Sequence, residues 1–219
     1  MVQDKLNSPI FITGIERSGS TIIAKIISSC GAFTGRTTEM SENVYIRGLL
    51  DAYYELIGAD KKGQSPLPDT KKLIILTSWA QEIKNILSED QYIDQTWMCK
   101  SSRLFQTWPV WHYAFPNAKW IIVRRRTGDV IESCLKTGYM TAYKDKEGWL
   151  DWIHTQEKVF VEMIEAGLNC KQVWPERMAT GDYQQIFETI DWVGLNWNND
   201  IVAMVEPLMY RSKQRKKGE

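Results

Sequence analysis

Metal-binding and disulfide-forming residues are scarce in this sequence. It has two histidines, and its four cysteines, Cys30, Cys99, Cys134 and Cys170, are scattered without a C-x-x-C pair or a Cys/His cluster. Zinc sites need clustered ligands, and disulfide frameworks occur in cysteine-dense chains, so both are disfavoured. We therefore expect no bound metal, and free thiols in a reducing compartment.

The sequence also lacks a net charge and a long apolar segment. Its 27 basic residues balance 27 acidic residues, so no global field favours nucleic acid or a membrane surface. The apolar run near the N-terminus is too short for a signal peptide, and no run approaches membrane-spanning length. These absences predict a soluble cytoplasmic protein with no nucleic-acid or membrane partner.

Short apolar runs alternate with longer amphipathic segments along the chain. PIFIT, QTWMCK, KWIIV and CKQVWPERM are predicted to contain strands. Helices are predicted between them: one capped by Ser18, one whose start carries Glu39 and Glu42, and one over residues 71–87. This alternation predicts an α/β fold, with a central parallel sheet flanked by helices in three layers. A single domain over residues 1–219 is expected from the length.

The segment GIERSGST has the spacing of a phosphate-binding loop but lacks its lysine. A nucleotide P-loop reads G-x-x-x-x-G-K-[ST], in which the lysine contacts the phosphates and the hydroxyl binds Mg²⁺. Here Gly14, Gly19 and Thr21 are in place, Ser20 takes the lysine position, and the cation is Arg17. A strand, a glycine loop and a helix in succession predict a P-loop-like domain that binds an anion.

Cations follow three of the predicted strands. Arg17 lies in the loop after the first strand, Lys100 ends the second, and arginines 124–126 follow KWIIV. Ligands bind at the carboxyl ends of parallel strands, so we expect these cations to converge on one edge. Arginine presents a planar fork of donors that suits phosphate or sulfate oxygens. In P-loop NTPases an aspartate at the end of such a strand holds Mg²⁺, whereas here KWIIV is followed by arginines. The pattern therefore favours an anion whose charge is neutralised by side chains and not by a metal ion.

Two segments together resemble the superfamily of sulfotransferases that use 3′-phosphoadenosine 5′-phosphosulfate (PAPS). GIERSGSTII and VRRRTGDVIES are similar to its motifs P-[KR]-[ST]-G-[ST]-T and R-[DN]-P-R-D-x-x-x-S. The arginine in the loop looks closest to the tyrosylprotein sulfotransferase branch. The resemblance implies a metal-independent, in-line transfer of a sulfuryl group from PAPS to a hydroxyl or amine acceptor.

The resemblance also implies a donor site. Arg17 would stabilise the bridging oxygen as the S–O bond breaks. Arg125 and Ser133, eight residues apart, would hold the ribose 3′-phosphate, with Arg124 as the alternative to Arg125. The G-x-x-G-x-W-K element of cytosolic members is absent, so no adenine contact is assigned. The residues that would bind the 5′-phosphosulfate are Arg17, Ser18, Gly19, Ser20 and Thr21.

Candidates for the remaining catalytic roles come from the same resemblance. MCKSSRLF is similar to the superfamily's K-D-P-[RF] element, which makes Lys100 a second cation near the transferred group. A general base must take the proton of the acceptor. In sulfotransferases with this loop type, a glutamate after the first helix does so, which points to Glu42 or Glu39, with Glu42 slightly favoured. His112 and His154 stay open as alternatives.

Two other functions are compatible with the sequence alone. A P-loop kinase acting on a small molecule or a nucleotide would need Mg²⁺ and a Walker lysine. A catalytically silent module would bind an anion without turnover. For a sulfotransferase, the acceptor is left open among carbohydrate, peptide, lipid and small molecule.

Overall fold

A four-stranded parallel sheet forms the centre of the computed structural model, which describes residues 5–203 and 205. β1 pairs in parallel with β2 on one side and with β3 on the other, and β3 pairs with β4. The predicted α/β architecture is confirmed. The strands, in the spatial order β2-β1-β3-β4, are β1 (Ile10–Thr13), β2 (Met98–Lys100), β3 (Lys119–Val123) and β4 (Asn169–Val173).

Helices connect the strands and cover both faces of the sheet. Within the described part of the chain, none is long and apolar enough to cross a membrane. The helices are α1 (Ser20–Ser29), α2 (Val44–Leu56), α3 (Trp79–Glu89), α4 (Trp108–Ala114), α5 (Thr127–Leu135), α6 (Lys146–Glu165) and α7 (Gln184–Val193).

β1 and β3 are buried almost throughout, which explains their continuous apolar sequences, whereas the edge strand β4 is largely exposed or half-buried and mainly polar. Successive side chains of β1 point to opposite sides. Phe11 packs edge-on against Trp111 and Trp120, with ring centroids 5.1 and 4.8 Å away, in a core that α2 to α6 complete. Ile10 and Ile12 face the opposite core, which α1 and α7 supply. The sheet is thus the middle of three layers.

Two predicted helix starts are wrong. Gly19, not Ser18, is the N-cap of α1, and no side chain caps that end. The second helix begins only at Val44, because the Asn43 side chain accepts hydrogen bonds from the amides of Tyr45 and Ile46 and caps α2. Glu39 and Glu42 therefore precede α2.

The helix predicted over residues 71–87 is also wrong in its first half. A 3₁₀ helix, Thr70–Lys72, is followed by non-helical backbone up to α3. The Ile74 carbonyl accepts a hydrogen bond from the Tyr53 hydroxyl at 2.9 Å, and Leu73 and Leu76 pack on the core. Tertiary contacts thus outweigh the helical periodicity of this segment.

Candidate active site

A cavity of about 450 Å³ opens at the carboxyl edge of the sheet, where β1, β2 and β3 end. Ligands of open α/β sheets bind at this edge. Two groups of residues line most of it. The β1–β3 half consists of Arg17, Gly19, Ser20, Thr21 and Arg125. The β2–α2 half consists of Glu42, Arg47, Asp51, Lys61, Lys62, Lys100, Ser102 and Arg103.

The loop between β1 and α1 needs glycine at two positions. A Cβ on Gly14 would clash with the carbonyl oxygen of Val123 on β3. Gly19 has a φ of 94°, a left-handed conformation that glycine adopts without strain. This turn brings Ser20 and Thr21, in the first turn of α1, to the cavity. The amino end of a helix, with its free N–H groups and positive dipole, is suited to an anion.

Arg17 and Arg125 join the two sequence motifs. Arg17 Nε donates a hydrogen bond of 2.9 Å to Ser133 Oγ on α5, and Arg125 Nη1 donates one of 2.8 Å to the Arg17 carbonyl oxygen. Arg17 has a left-handed φ of 69°, a conformation that non-glycine residues rarely adopt and that often marks functional sites. Both guanidinium groups are held by neutral partners, so their charge remains available to a ligand.

Ser18 and Arg124 lie away from the main cavity. They line a narrow second cavity, where the buried Ser18 hydroxyl has no hydrogen-bond partner among the described residues. Arg124 Nη2 forms a 2.7 Å ion pair with Glu157 and its guanidinium lies 5.2 Å from the centroid of the Phe160 ring. Of the three arginines after β3, Arg125 is the one in the main cavity.

Lys100 and Glu42 form an ion pair inside the cavity. Lys100 ends β2, and its Nζ lies 3.2 Å from Glu42 Oε1, with side-chain exposures of 6% and 17%. The structure therefore brings the predicted second cation and one predicted base together, next to the loop. In this state the lysine charge is already neutralised by a carboxylate.

The other predicted bases lie elsewhere. Glu39 is exposed and lines a separate cavity beside Thr38 and Ser41. His112 lies on α4, with its ring 6.3 Å from that of Trp108, and His154 is exposed on α6. Among the predicted bases, Glu42 is the one that lines the main cavity.

Glu16 is a cavity residue that the sequence interpretation missed. Ser102 Oγ donates a 3.0 Å hydrogen bond to Glu16 Oε1, while the buried Oε2 has no partner among the described residues. Burial raises the pKa of Glu16 to about 7. The Ser102 hydrogen bond opposes this rise, Glu42 adds to it, and Lys100 and Arg103 lower the pKa. A signal was present: an acidic residue inside an anion-binding loop conflicts with the loop's chemistry.

Arg103 is a second missed residue, and it organises the β2–α2 half. Its side chain is almost fully buried and forms an ion pair with Asp51. It also donates a 2.9 Å hydrogen bond to the Lys61 carbonyl oxygen and lies 5.1 Å from the centroid of the Tyr54 ring. The segment MCKSSRLF contains this arginine, but only the tertiary fold shows that it supports a cation-rich wall.

Comparisons with known proteins identify the family. The sequence model of the sulfotransferase family matches residues 9–189. The chain belongs to the sulfotransferase family. No curated protein sequence matches the chain significantly. The structure is similar to that of the sulfotransferase STF1 from Mycobacterium tuberculosis, with a TM-score of 0.52, 12% identity, and coverage of 91% of this chain and 70% of that chain.

Membership of this family makes the protein a sulfotransferase, an enzyme that transfers a sulfuryl group, and PAPS is the donor that the family generally uses. The P-loop kinase and the silent binding module are thereby set aside. The tyrosylprotein branch is not singled out by these comparisons. In the described residues, no cluster of histidine, cysteine and acidic side chains has the arrangement of a metal site.

Proposed function

We propose that this sulfotransferase binds PAPS in the β1–β3 half of the cavity. The loop residues Arg17, Gly19, Ser20 and Thr21 and the amino end of α1 would hold the 5′-phosphosulfate, and Arg125 with Ser133 would hold the ribose 3′-phosphate. The observation that carries the proposal is the pair of hydrogen bonds by which Arg17 contacts Ser133 and Arg125. They bring the two motifs of the resemblance to one cavity wall. Among the described residues, no carboxylate forms an ion pair with either guanidinium group. Arg124, held by Glu157, is the less suited of the two arginines.

In the proposed reaction, the acceptor oxygen or nitrogen attacks sulfur as the bond to the bridging oxygen breaks, and the electron pair stays on the leaving phosphate. Arg17 and Lys100 would stabilise that developing charge, because fixed cations aimed at it lower the barrier. These side chains supply the charge neutralisation that the lysine and Mg²⁺ provide in P-loop kinases. Lys100 must exchange its contact with Glu42 for one with the donor.

Glu42 is the proposed general base. It lines the cavity, whereas Glu39, His112 and His154 lie outside it. Its release from Lys100 during donor binding would free the carboxylate for the acceptor proton. Glu16 is a second candidate, because its raised pKa of about 7 suits proton transfer near neutral pH.

The rest of the proposal concerns the protein as a whole. Residues 1–219 are proposed to form one sulfotransferase domain in the cytoplasm, as the sequence predicts. The acceptor is a hydroxyl or amine compound, taken from carbohydrates, peptides, lipids or small molecules. No nucleic-acid or membrane partner is proposed.

Calorimetric titration with adenosine 3′,5′-bisphosphate (PAP), the product left after transfer, tests the donor site. With EDTA present, wild-type protein should bind PAP, and Arg17→Ala and Arg125→Ala should each weaken binding at least tenfold. Arg126→Ala is the matched control, because its side chain is 72% exposed and pairs with Asp129 and Glu176 outside the cavity. Absence of PAP binding, or a preference for Mg·ATP, would overturn the proposed donor.

A further inference from the structure

The β2–α2 half of the cavity is the place for the acceptor. β2 lies on the opposite side of β1 from β3, so this half faces the loop from the side away from Arg125. An in-line transfer needs the acceptor opposite the leaving phosphate. If the β1–β3 half holds the donor, as proposed above, the acceptor must approach along α2 and the segment after β2.

This half carries more positive than negative side chains. Lys100 is paired with Glu42, and Arg103 with Asp51. Beyond them, Arg47, Lys61 and Lys62 also line the cavity. Lys61 has a partner in Glu55, but that carboxylate is 72% exposed and lies outside the cavity lining.

Two of these cations have no counter-charge in the part of the chain that the structure describes. Among the described residues, neither Arg47 nor Lys62 has a carboxylate within the 4.0 Å that defines an ion pair. An excess of positive charge at a concave site raises the local concentration of anionic ligands. The outer wall of the β2–α2 half is therefore electrostatically suited to an anion.

The backbone that presents Lys61 and Lys62 is fixed. The Asp60 carboxylate accepts hydrogen bonds from the amides of residues 62, 64 and 65, at 3.1, 3.0 and 3.2 Å. The Lys61 carbonyl is held by Arg103, and Gln106 Nε2 donates to the Gly63 carbonyl at 3.1 Å. A fixed loop places its charges at the cavity mouth, unlike lysines on a solvated helix face.

The cavity lining contains few large hydrophobic side chains. Pockets for apolar ligands are lined mainly by hydrophobic and aromatic side chains. Among the described residues that line this cavity, Met40 and Tyr139 are the only ones with a large apolar group outside a charged side chain. An apolar acceptor would therefore contact mainly the hydrocarbon stems of charged side chains, and burying it would also desolvate their charged ends.

We propose that the acceptor is itself an anion, a hydroxyl or amine compound that carries a phosphate, sulfate or carboxylate group. Arg47, Lys61 and Lys62 bind this anionic group at the cavity mouth, while its nucleophile faces Glu42 and the sulfuryl group. The inference rests on the proposed donor site, because that site decides which half receives the acceptor.

The test uses protein that is already saturated with PAP. Inorganic pyrophosphate is then titrated in as the anionic probe. Calorimetry should show saturable 1:1 binding of pyrophosphate, and the double variant Arg47→Gln/Lys62→Gln should weaken it at least tenfold while leaving PAP affinity within about twofold. Lys144→Gln/Lys146→Gln is the matched control, since both lysines are exposed and outside the cavity lining. It should leave pyrophosphate affinity unchanged.

Competition against pyrophosphate then identifies the source of the anion. Glucose 6-phosphate is compared with glucose. A peptide in which glutamates flank a tyrosine is compared with the same peptide in which glutamines replace the glutamates. Stronger displacement by a charged member supports the proposal and shows whether sugar or peptide carries the charge. Equal displacement within both pairs overturns it.

The first step separates this inference from the donor site. If PAP does not bind, the proposed donor site fails, and the acceptor inference with it. If PAP binds but pyrophosphate does not, the acceptor inference alone is overturned. Pyrophosphate binding that the Arg47→Gln/Lys62→Gln variant leaves intact also overturns it, because the anion then occupies the vacated sulfuryl position.

Discussion

The two halves of the cavity hold their cations in different ways. In the β1–β3 half, Arg17 and Arg125 donate to a hydroxyl and to a backbone carbonyl. In the β2–α2 half, Lys100 and Arg103 contact carboxylates. Neutral partners orient a cation and leave its charge to the ligand, whereas a carboxylate competes with the ligand for it. The cations of the first half are therefore oriented with their charge available to an anion. In the second half, Lys100 and Arg103 are already paired with carboxylates, so an anionic ligand would have to displace those partners.

Glu16 gives the largest expected effect, because it places a buried carboxyl within the loop between β1 and α1, which is proposed to bind an anion. Burial raises its pKa to about 7, from an ordinary value of 4.5. Between these pH values the folded chain keeps a proton that the unfolded chain has released, so this group's contribution to stability falls as the pH rises to 7. Each unit of difference between the two pKa values corresponds to about 1.4 kcal/mol. Above pH 7, burying the ionised carboxyl therefore lowers the free energy of unfolding by about 3 kcal/mol.

Glu16→Gln should therefore be more stable than wild type at pH 8, by up to about 3 kcal/mol, and nearly equal to it at pH 4.5. Urea unfolding at the two pH values measures the difference. Glu39→Gln, which removes an exposed carboxyl in the separate cavity, is the matched control and should show no such gain. A Glu16→Gln variant that gains nothing at pH 8 would contradict the conclusion that burial disfavours the ionised form of Glu16.

Gly14→Ala tests whether backbone packing builds the β1–β3 half. The added methyl group would clash with the Val123 carbonyl oxygen, so the free energy of unfolding should drop by about 2 kcal/mol, the usual cost of overpacking. PAP binding should weaken with it, because the loop must shift. Gly128→Ala, on α5 with no atom within 4 Å of the new Cβ, should be neutral or slightly stabilising. Equal behaviour of the two variants would show that the close approach to β3 is unimportant.

The two halves also differ in how far the sequence reveals them. The β1–β3 half comes from a contiguous loop, whose glycine spacing follows from backbone geometry, and from one further motif. The strands, their parallel pairing and the convergence of Arg17, Lys100 and Arg125 could accordingly be predicted. Arg47, Asp51 and Arg103 could not, because they come together only through the packing of α2 on the segment after β2. Likewise, the apolar periodicity predicted a helix whose start includes Glu42, but the Asn43 side chain caps the amides of Tyr45 and Ile46, so α2 begins only after it.

Arg17→Lys tests whether PAP binding needs the guanidinium geometry of Arg17 in addition to its charge. Arginine has five N–H donors. Here Nε donates to Ser133 and the guanidinium also hydrogen-bonds the Tyr139 hydroxyl, so the remaining donors are available for the proposed phosphosulfate. A lysine ammonium keeps the charge but cannot span both partners in one plane. PAP affinity should fall about tenfold, or about 1.4 kcal/mol. Arg126→Lys should leave PAP affinity unchanged. If Arg17→Lys also leaves it unchanged, only the positive charge at position 17 matters for binding, and the geometry of the guanidinium group does not.

The smallest effect is expected for the ion pair of the β2–α2 half. A double-mutant cycle of Lys100→Met and Glu42→Gln, measured by urea unfolding at pH 5.5, should give a coupling energy of about 1 kcal/mol. At that pH Glu16 retains its proton, because its pKa is about 7, and so does not compete for Lys100. The exposed pair Arg177–Asp182, with side-chain exposures of 47% and 36%, should couple by less than about 0.5 kcal/mol. Coupling near zero for Lys100 and Glu42 would mean that the lysine charge is as free as that of Arg17. The two halves would then share one electrostatic design, and donor binding would need no exchange of partners before Glu42 could accept a proton.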